Sequence, residues 1–206
     1  MSKVGTTAFR LFVDFRTLLP LNVCFEGEII FNTKIDESSV TSNLFIMKYL
    51  LYTDGSCDNL SAHREGGYAY IILDQKKNII KSFAKGALNT TNNIMELTAI
   101  IEGCKAIPED NAEVVIYSDS QYALNVLSGK WVAHVNRALI DEHKVNKKRL
   151  RLQYNWIKGH CGNKFNDMAD LLAETELNNM RIKHNIDVVD SHQKYKRSYS
   201  RYNRWK

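Results

Sequence analysis

Proline and glycine are scarce, at 2 and 10 residues in a chain of 206, which excludes collagen-like and low-complexity, disordered classes. Cysteine is equally sparse. Cys24, Cys57, Cys104 and Cys161 lie far apart with no CxxC pair, so neither a zinc knuckle nor a disulfide framework is expected and the thiols read as reduced. Cys161 adjoins His160, but tetrahedral zinc needs a second ligand pair that the sequence does not supply. No apolar run approaches the roughly 20 residues that cross a bilayer, and the first residues lack a basic-then-apolar leader with a small-residue cleavage site. A cytoplasmic, monomeric protein with no membrane partner is therefore expected. What remains is 44% hydrophobic and 25% charged, enough for one well-buried core and too short a chain for two large ones.

Charge is unevenly placed. From Arg181 onward, Arg181, Lys183, Lys194, Lys196, Arg197, Arg201, Arg204 and Lys206 face only Asp187 and Asp190, so this end carries +6 of the net +5 and the rest of the chain carries −1. Tyr195, Tyr199, Tyr202 and Trp205 are interleaved with the cations. A near-neutral body with a basic, aromatic tail has the pattern of a polyanion-binding arm.

Three segments follow from local composition. Residues 1–46 read as an N-terminal extension with a small β-hairpin, in which Glu26-Gly27 separates two β-rich runs. The polar stretch Asp36 to Asn43 acts as a linker, and Met47 opens a self-sufficient domain over 47–180. Residues 181–206 form the tail. Inside the domain, LLYTDGSC is a buried strand meeting an aspartate, GGYAYIILD and NIIKSFAKG are hairpin partners, and NNIMELTAIIEGCKAI is a helix. Thr91 and Asn92 are able to cap that helix, and Pro108 closes it. EVVIYSD is a short strand ending on a second aspartate. SQYALNVLSGK, capped by Asp119 or Ser120, and HVNRALIDEHKVNKK are helices, LRLQYNWIKGH is a strand, and NDMADLLAETELNN is a closing helix. The order β-β-β-α-β-α-α-β-α predicts an α/β fold with a mixed five-stranded sheet, three antiparallel strands extended by two crossover strands parallel to the first.

Right-handed crossovers put the strand of Asp54 beside the strand of Asp119. Glu96 and Asp170 fall in the first turns of helices. Each has an ordinary alternative: Asp54-Gly55 as a turn pair, Asp119 as an N-cap, Glu96 as a helix-start charge, Asp170 as a solvated helix residue. Together they would repel at up to about 4 kcal/mol per close pair. Hard divalent cations, Mg²⁺ or Mn²⁺, best compensate such an oxygen-rich cluster, and two of them about 4 Å apart would clamp a phosphodiester.

YTDGS, TNNIMEL, YSDSQY and KGHCGNKFNDMADLLA, in that order, resemble the four motif blocks of ribonuclease H of the type 1 group, over about residues 47–176. The resemblance implies a ribonuclease H-like fold and an endonuclease that cuts the RNA strand of RNA–DNA hybrids, leaving 5′-phosphate and 3′-hydroxyl ends. It implies Asp54, Glu96, Asp119 and Asp170 as ligands of two Mg²⁺, with Mn²⁺ as substitute, and His160 as a helper in proton transfer or product release. Asp167 competes for the fourth ligand place, but Ala169-Asp170-Leu171-Leu172 carries the family pattern, with Asn166 upstream as an implied substrate contact. Asn92, Asn93 and Gln121 match positions that read the minor groove, where 2′-hydroxyls mark RNA. Two departures stand out. The loop DNLSAHRE is not the glycine- and proline-rich version, which leaves Asn59 a weak match for a substrate contact. The 41 positions from Asp119 to His160 are few for a full basic handle, of which Lys130-Trp131 is the expected remnant. Two other readings stay open: a junction resolvase or integrase-like nuclease on the same fold, and a non-catalytic nucleic-acid-binding domain derived from a reverse transcriptase.

Overall fold

The computed structural model describes residues 46–186. The expected N-terminal hairpin and the arm beyond residue 186 lie outside the described residues. Five strands, β1 (Lys48–Cys57), β2 (Gly66–Leu73), β3 (Ile79–Ala87), β4 (Glu113–Ser118) and β5 (Arg151–Trp156), form one sheet in the order β3-β2-β1-β4-β5. β1 pairs antiparallel with β2, and β2 with β3, while β4 runs parallel to β1 and β5 parallel to β4. This is the expected mixed sheet. The helices are α1 (Asn92–Lys105), α2 (Gln121–Ser128), α3 (Arg137–Arg149) and α4 (Lys164–Lys183).

Period-two alternation sends successive strand side chains to opposite faces. Leu51 of β1 therefore packs with Leu97, Ile100, Ile101 and Cys104 of α1 and Leu124 and Leu127 of α2, while its neighbour Tyr52 packs with Ala169, Phe165 and Leu172 of α4. Tyr52 stacks on Tyr117 of β4 with ring centroids 4.7 Å apart. Covered on both faces, β2 is buried along its whole length, as a continuous apolar strand should be. Burying each large aliphatic side chain contributes about 1.5–3 kcal/mol, so α1 and α4 clamp the sheet through these contacts.

α3 is held differently: Leu139 and Ile140 rest against the core only half-buried, and its fully buried positions are polar. His143 and Asn146 are its buried positions. Asn146 Nδ2 donates to Ile101 O at 3.1 Å, and His143 Nε2 lies 2.7 Å from Tyr154 Oη. Arg149 donates to Ile107 O and Cys104 O, which satisfies carbonyls at the end of α1, and Lys147 reaches Ser128 O at the end of α2. These cations serve helix C-termini, where orphan carbonyls and the helix dipole favour positive charge.

The described cysteines Cys57, Cys104 and Cys161 are free thiols. No helix among the described residues is long and apolar enough to cross a membrane.

Candidate functional site

The strand carrying Asp54 does not stop there. β1 continues to Cys57, with Asp54 paired against Ala69 of β2, so Asp54-Gly55 is extended strand and not a turn. What ends nearby is the pairing with β4, whose last register partner on β1 is Tyr52, opposite Tyr117. Asp54 therefore sits where β1 projects past its parallel neighbour, and Asp119 follows two residues after Tyr117. The topology that makes the strands parallel brings the two carboxylates together.

Asp119 is not the N-cap of α2. Ser120 holds that place, its Oγ accepting from Ala123 N at 3.2 Å, which frees the Asp119 side chain. Its backbone carbonyl accepts from Trp156 Nε1 at 3.0 Å. β5 ends at Trp156 rather than running on through Ile157-Lys158-Gly159-His160, and these four residues form a loop that sets Gly159 against Asp119 and His160 against Asp170. Gly159 permits the approach, since a Cβ there would come 2.2 Å from Asp119 Oδ2.

Glu96 comes from α1, whose N-cap Thr91 accepts from Ile94 N. The helix backbone lies directly on β1 because Gly55 has no side chain: a Cβ would come 2.3 Å from Glu96 N. Carboxylate oxygens of Asp54, Glu96 and Asp119 all lie within 4.8 Å of one another. Asp54 and Glu96 are buried, 7% and 5% exposed, and Glu96 Oε2 is buried without a hydrogen-bond partner. Burial first, then the charges of Asp119 and Asp170, push the Asp54 carboxyl well above the usual range. Burial, then the charge of Asp54, does the same to Glu96. Three carboxylates gathered together, one of them with a buried oxygen left without a partner, are the donor set that a hard divalent cation fits, so these residues suit such an ion.

Asp170, on α4, exerts its field on both Asp54 and Glu96, whereas Asp167 lies in the first turn of the helix and is not among those charges. Asp170 Oδ2 is 3.2 Å from Nδ1 of His160. His160 occupies a left-handed backbone position, φ 50°, with an exposed side chain. Of the five residues expected at the chemistry, Asp54, Glu96 and Asp119 share one cluster, while Asp170, paired with His160, lies outside it and acts on it through its charge.

The expected substrate contacts spread around this centre. Asn92 and Asn93 begin α1, and Asn92 N donates to Asn59 Oδ1 at 3.2 Å. Gln121 begins α2 and lines a cavity of about 220 Å³ with Asn125, Lys130, Tyr154 and Trp156. Trp131 is exposed in the α2–α3 connection. Asn166 is placed differently from an outward contact: it is 1% exposed, its N–H bonded to Asn163 Oδ1. Sequence reasoning missed Trp156 and Gly159. The signal for Trp156 was its place two residues after Tyr154 on a strand, hence on the same face.

The ribonuclease H family model matches residues 47–178. Among curated proteins, the chain is similar to the ribonuclease H of Campylobacter curvus, 36% identical, with 60% of this chain and 88% of the relative covered. It is also similar to that of Caldanaerobacter subterraneus subsp. tengcongensis, 35% identical, with 66% and 94% covered. Among solved structures, the N-terminal RNase H domain of a Mycobacterium tuberculosis protein superposes with a TM-score of 0.57 at 20% identity, over 67% of this chain and 99% of that one. LC11-RNase H1 in complex with an RNA/DNA hybrid superposes at 0.52 and 20% identity, over 64% and 98%. At these identities the structures show the shared fold.

Proposed function

The chain belongs to the ribonuclease H family, and from that premise we propose that it hydrolyses the RNA strand of RNA–DNA hybrids with Asp54, Glu96, Asp119 and Asp170 holding two Mg²⁺, for which Mn²⁺ substitutes. The observation that carries this reading is the trio Asp54, Glu96 and Asp119, gathered within 4.8 Å from three separate elements. When bound, the ions supply Lewis acidity and charge compensation at the scissile phosphodiester.

The chain's own residues do the rest. Trp156 fixes the backbone of Asp119 through its carbonyl, so that carboxylate is pre-positioned. His160, held through Nδ1 by Asp170, carries a proton to or from the reacting oxygens through its other ring nitrogen. Its loop is exposed, which suits a group that approaches substrate and withdraws with product. Asn92, Asn93 and Gln121 stand at the N-termini of α1 and α2 and meet the minor groove, where the 2′-hydroxyls distinguish RNA from DNA. Lys130 and Trp131 contact the strand opposite, and the basic arm from about Lys194 to Lys206 adds phosphate contacts. Cleavage leaves a 5′-phosphate and a 3′-hydroxyl.

The test is a cleavage assay with hybrid, duplex RNA, duplex DNA and a four-way junction, each under Mg²⁺ and under Mn²⁺. Hybrid cleavage confined to the RNA strand is expected. Cleavage of the junction with the hybrid left intact overturns the reading.

A further inference from the structure

The connection between β1 and β2, residues 58–65, contains neither glycine nor proline, and its shape depends on contacts. Asp58 Oδ1 accepts from Leu60 N and Ser61 N, Asp58 N donates to Glu65 O at 2.9 Å, and Arg64 takes a left-handed φ of 43°. This loop is bonded to the start of α1 at three points: Asn89 N to His63 O, Thr90 N to Arg64 O, and Asn92 N to Asn59 Oδ1.

One residue far along the chain ties the loop down. Arg181, counted by sequence with the basic tail, belongs to the last turn of α4. Its Nε donates to Glu65 Oε1 at 2.6 Å, another guanidinium nitrogen pairs with Asp58 Oδ2, and a third reaches Asn178 Oδ1 at 3.4 Å. Glu65 is 1% exposed, so this carboxylate depends on its cation. Burial opposes its ionisation, yet hydrogen bonds from Ser61 and Arg181 hold its carboxyl below the usual range. A planar guanidinium bridging two carboxylates fixes direction as well as distance.

We propose that Arg181 is a positioning residue for substrate, locking the loop 58–65 so that Asn59 and the α1 start with Asn92 and Asn93 keep the geometry that receives the hybrid. The inference rests on the reading that the hybrid crosses this edge. Arg181 touches none of the carboxylates around Asp54, so its effect falls on binding and not on the chemical step.

The experiment measures steady-state kcat and KM of the full chain on an RNA–DNA hybrid, with melting temperature alongside. Arg181→Ala should raise KM about tenfold, with kcat changed by less than about threefold. Arg181→Lys, which keeps the charge and loses the fork, should recover part of it. Because Arg181→Ala strands the buried Glu65, the double variant Glu65→Gln/Arg181→Met is made in parallel and should show the same KM with less loss of melting temperature. Asn59→Ala should also raise KM, and adding Arg181→Ala to it should raise KM little further, since both act through one contact. An unchanged KM, or full additivity with Asn59→Ala, overturns this proposal alone. Absence of hybrid cleavage by the wild-type chain overturns the functional reading and this proposal with it.

Discussion

Replacing Glu96 with glutamine should stabilise the metal-free protein while abolishing its activity. The carboxylate oxygens of Asp54, Glu96 and Asp119 lie within 4.8 Å of one another, and two unit charges at that separation repel by about 3.5 kcal/mol at an effective dielectric of 20. Glu96 faces two such neighbours, with Asp54 the stronger and Asp119 next. Proton uptake by the cluster and the partial exposure of Asp119 reduce the recoverable amount to about 3 kcal/mol. Glutamine keeps the shape and an acceptor toward the Gly55 N–H, which also reaches this carboxylate. At about 2–4 °C per kcal/mol for a chain of this size, thermal unfolding in EDTA should shift up by roughly 6–12 °C. Adding millimolar Mg²⁺ should raise the melting temperature of the wild type far more than that of Glu96→Gln, because ion binding stabilises only the state with an intact site. Hybrid cleavage should fall on the order of 10³-fold or more. A variant that melts below the wild type in EDTA, or that gains as much from Mg²⁺, would refute the claim that the three carboxylates form a charge-strained cation site.

Other perturbations separate the remaining roles. Asp170→Asn should abolish hybrid cleavage in a single-turnover assay while Asp167→Asn stays near normal; the reverse pattern would move the fourth ligand to Asp167. His160→Ala should lower the single-turnover rate by roughly 10²-fold with little change in equilibrium affinity, and a large affinity loss with normal chemistry would make it a binding residue. His143 is 1% exposed, and burial first, then Lys147, lower its pKa to about 4. The unfolded chain therefore binds the extra proton between about 4 and 6.5, so this contribution is complete above about 6.5 and is lost as pH falls toward 4, by about 3 kcal/mol. Denaturant unfolding of wild type and His143→Gln across that range should converge toward acid pH, and parallel curves would contradict the assignment. Truncation after Asp190 should flatten the slope of log K against log salt for hybrid binding by about 2.7 if three side chains contact phosphates, whereas an unchanged slope would mean the arm does not touch substrate.

Much of this protein is legible in its sequence because local rules there agree with the final structure. The glycine-led apolar run of β2, the capped amphipathic α1 and the two strands that meet aspartates carry periodicity and capping signals which depend only on near neighbours. From those, handedness of the crossovers puts Asp54 beside Asp119 without further information. Tertiary structure alone decided the rest. That β1 runs on past Asp54 follows from pairing with β2, which no local pattern reports; the Asp-Gly pair there has ordinary turn chemistry. That Ser120 and not Asp119 caps α2, with Asp119 held through its carbonyl by Trp156 and abutted by Gly159, is seen only in the fold. Arg181 is the clearest case. In sequence it is one cation among eight near the end of the chain. In the fold, α4 crosses the sheet and delivers it to Asp58 and Glu65, 123 and 116 residues away. A charge acquires a partner only when the packing of helix on sheet fixes both ends, and composition, which records the charges and not their distances, cannot supply that.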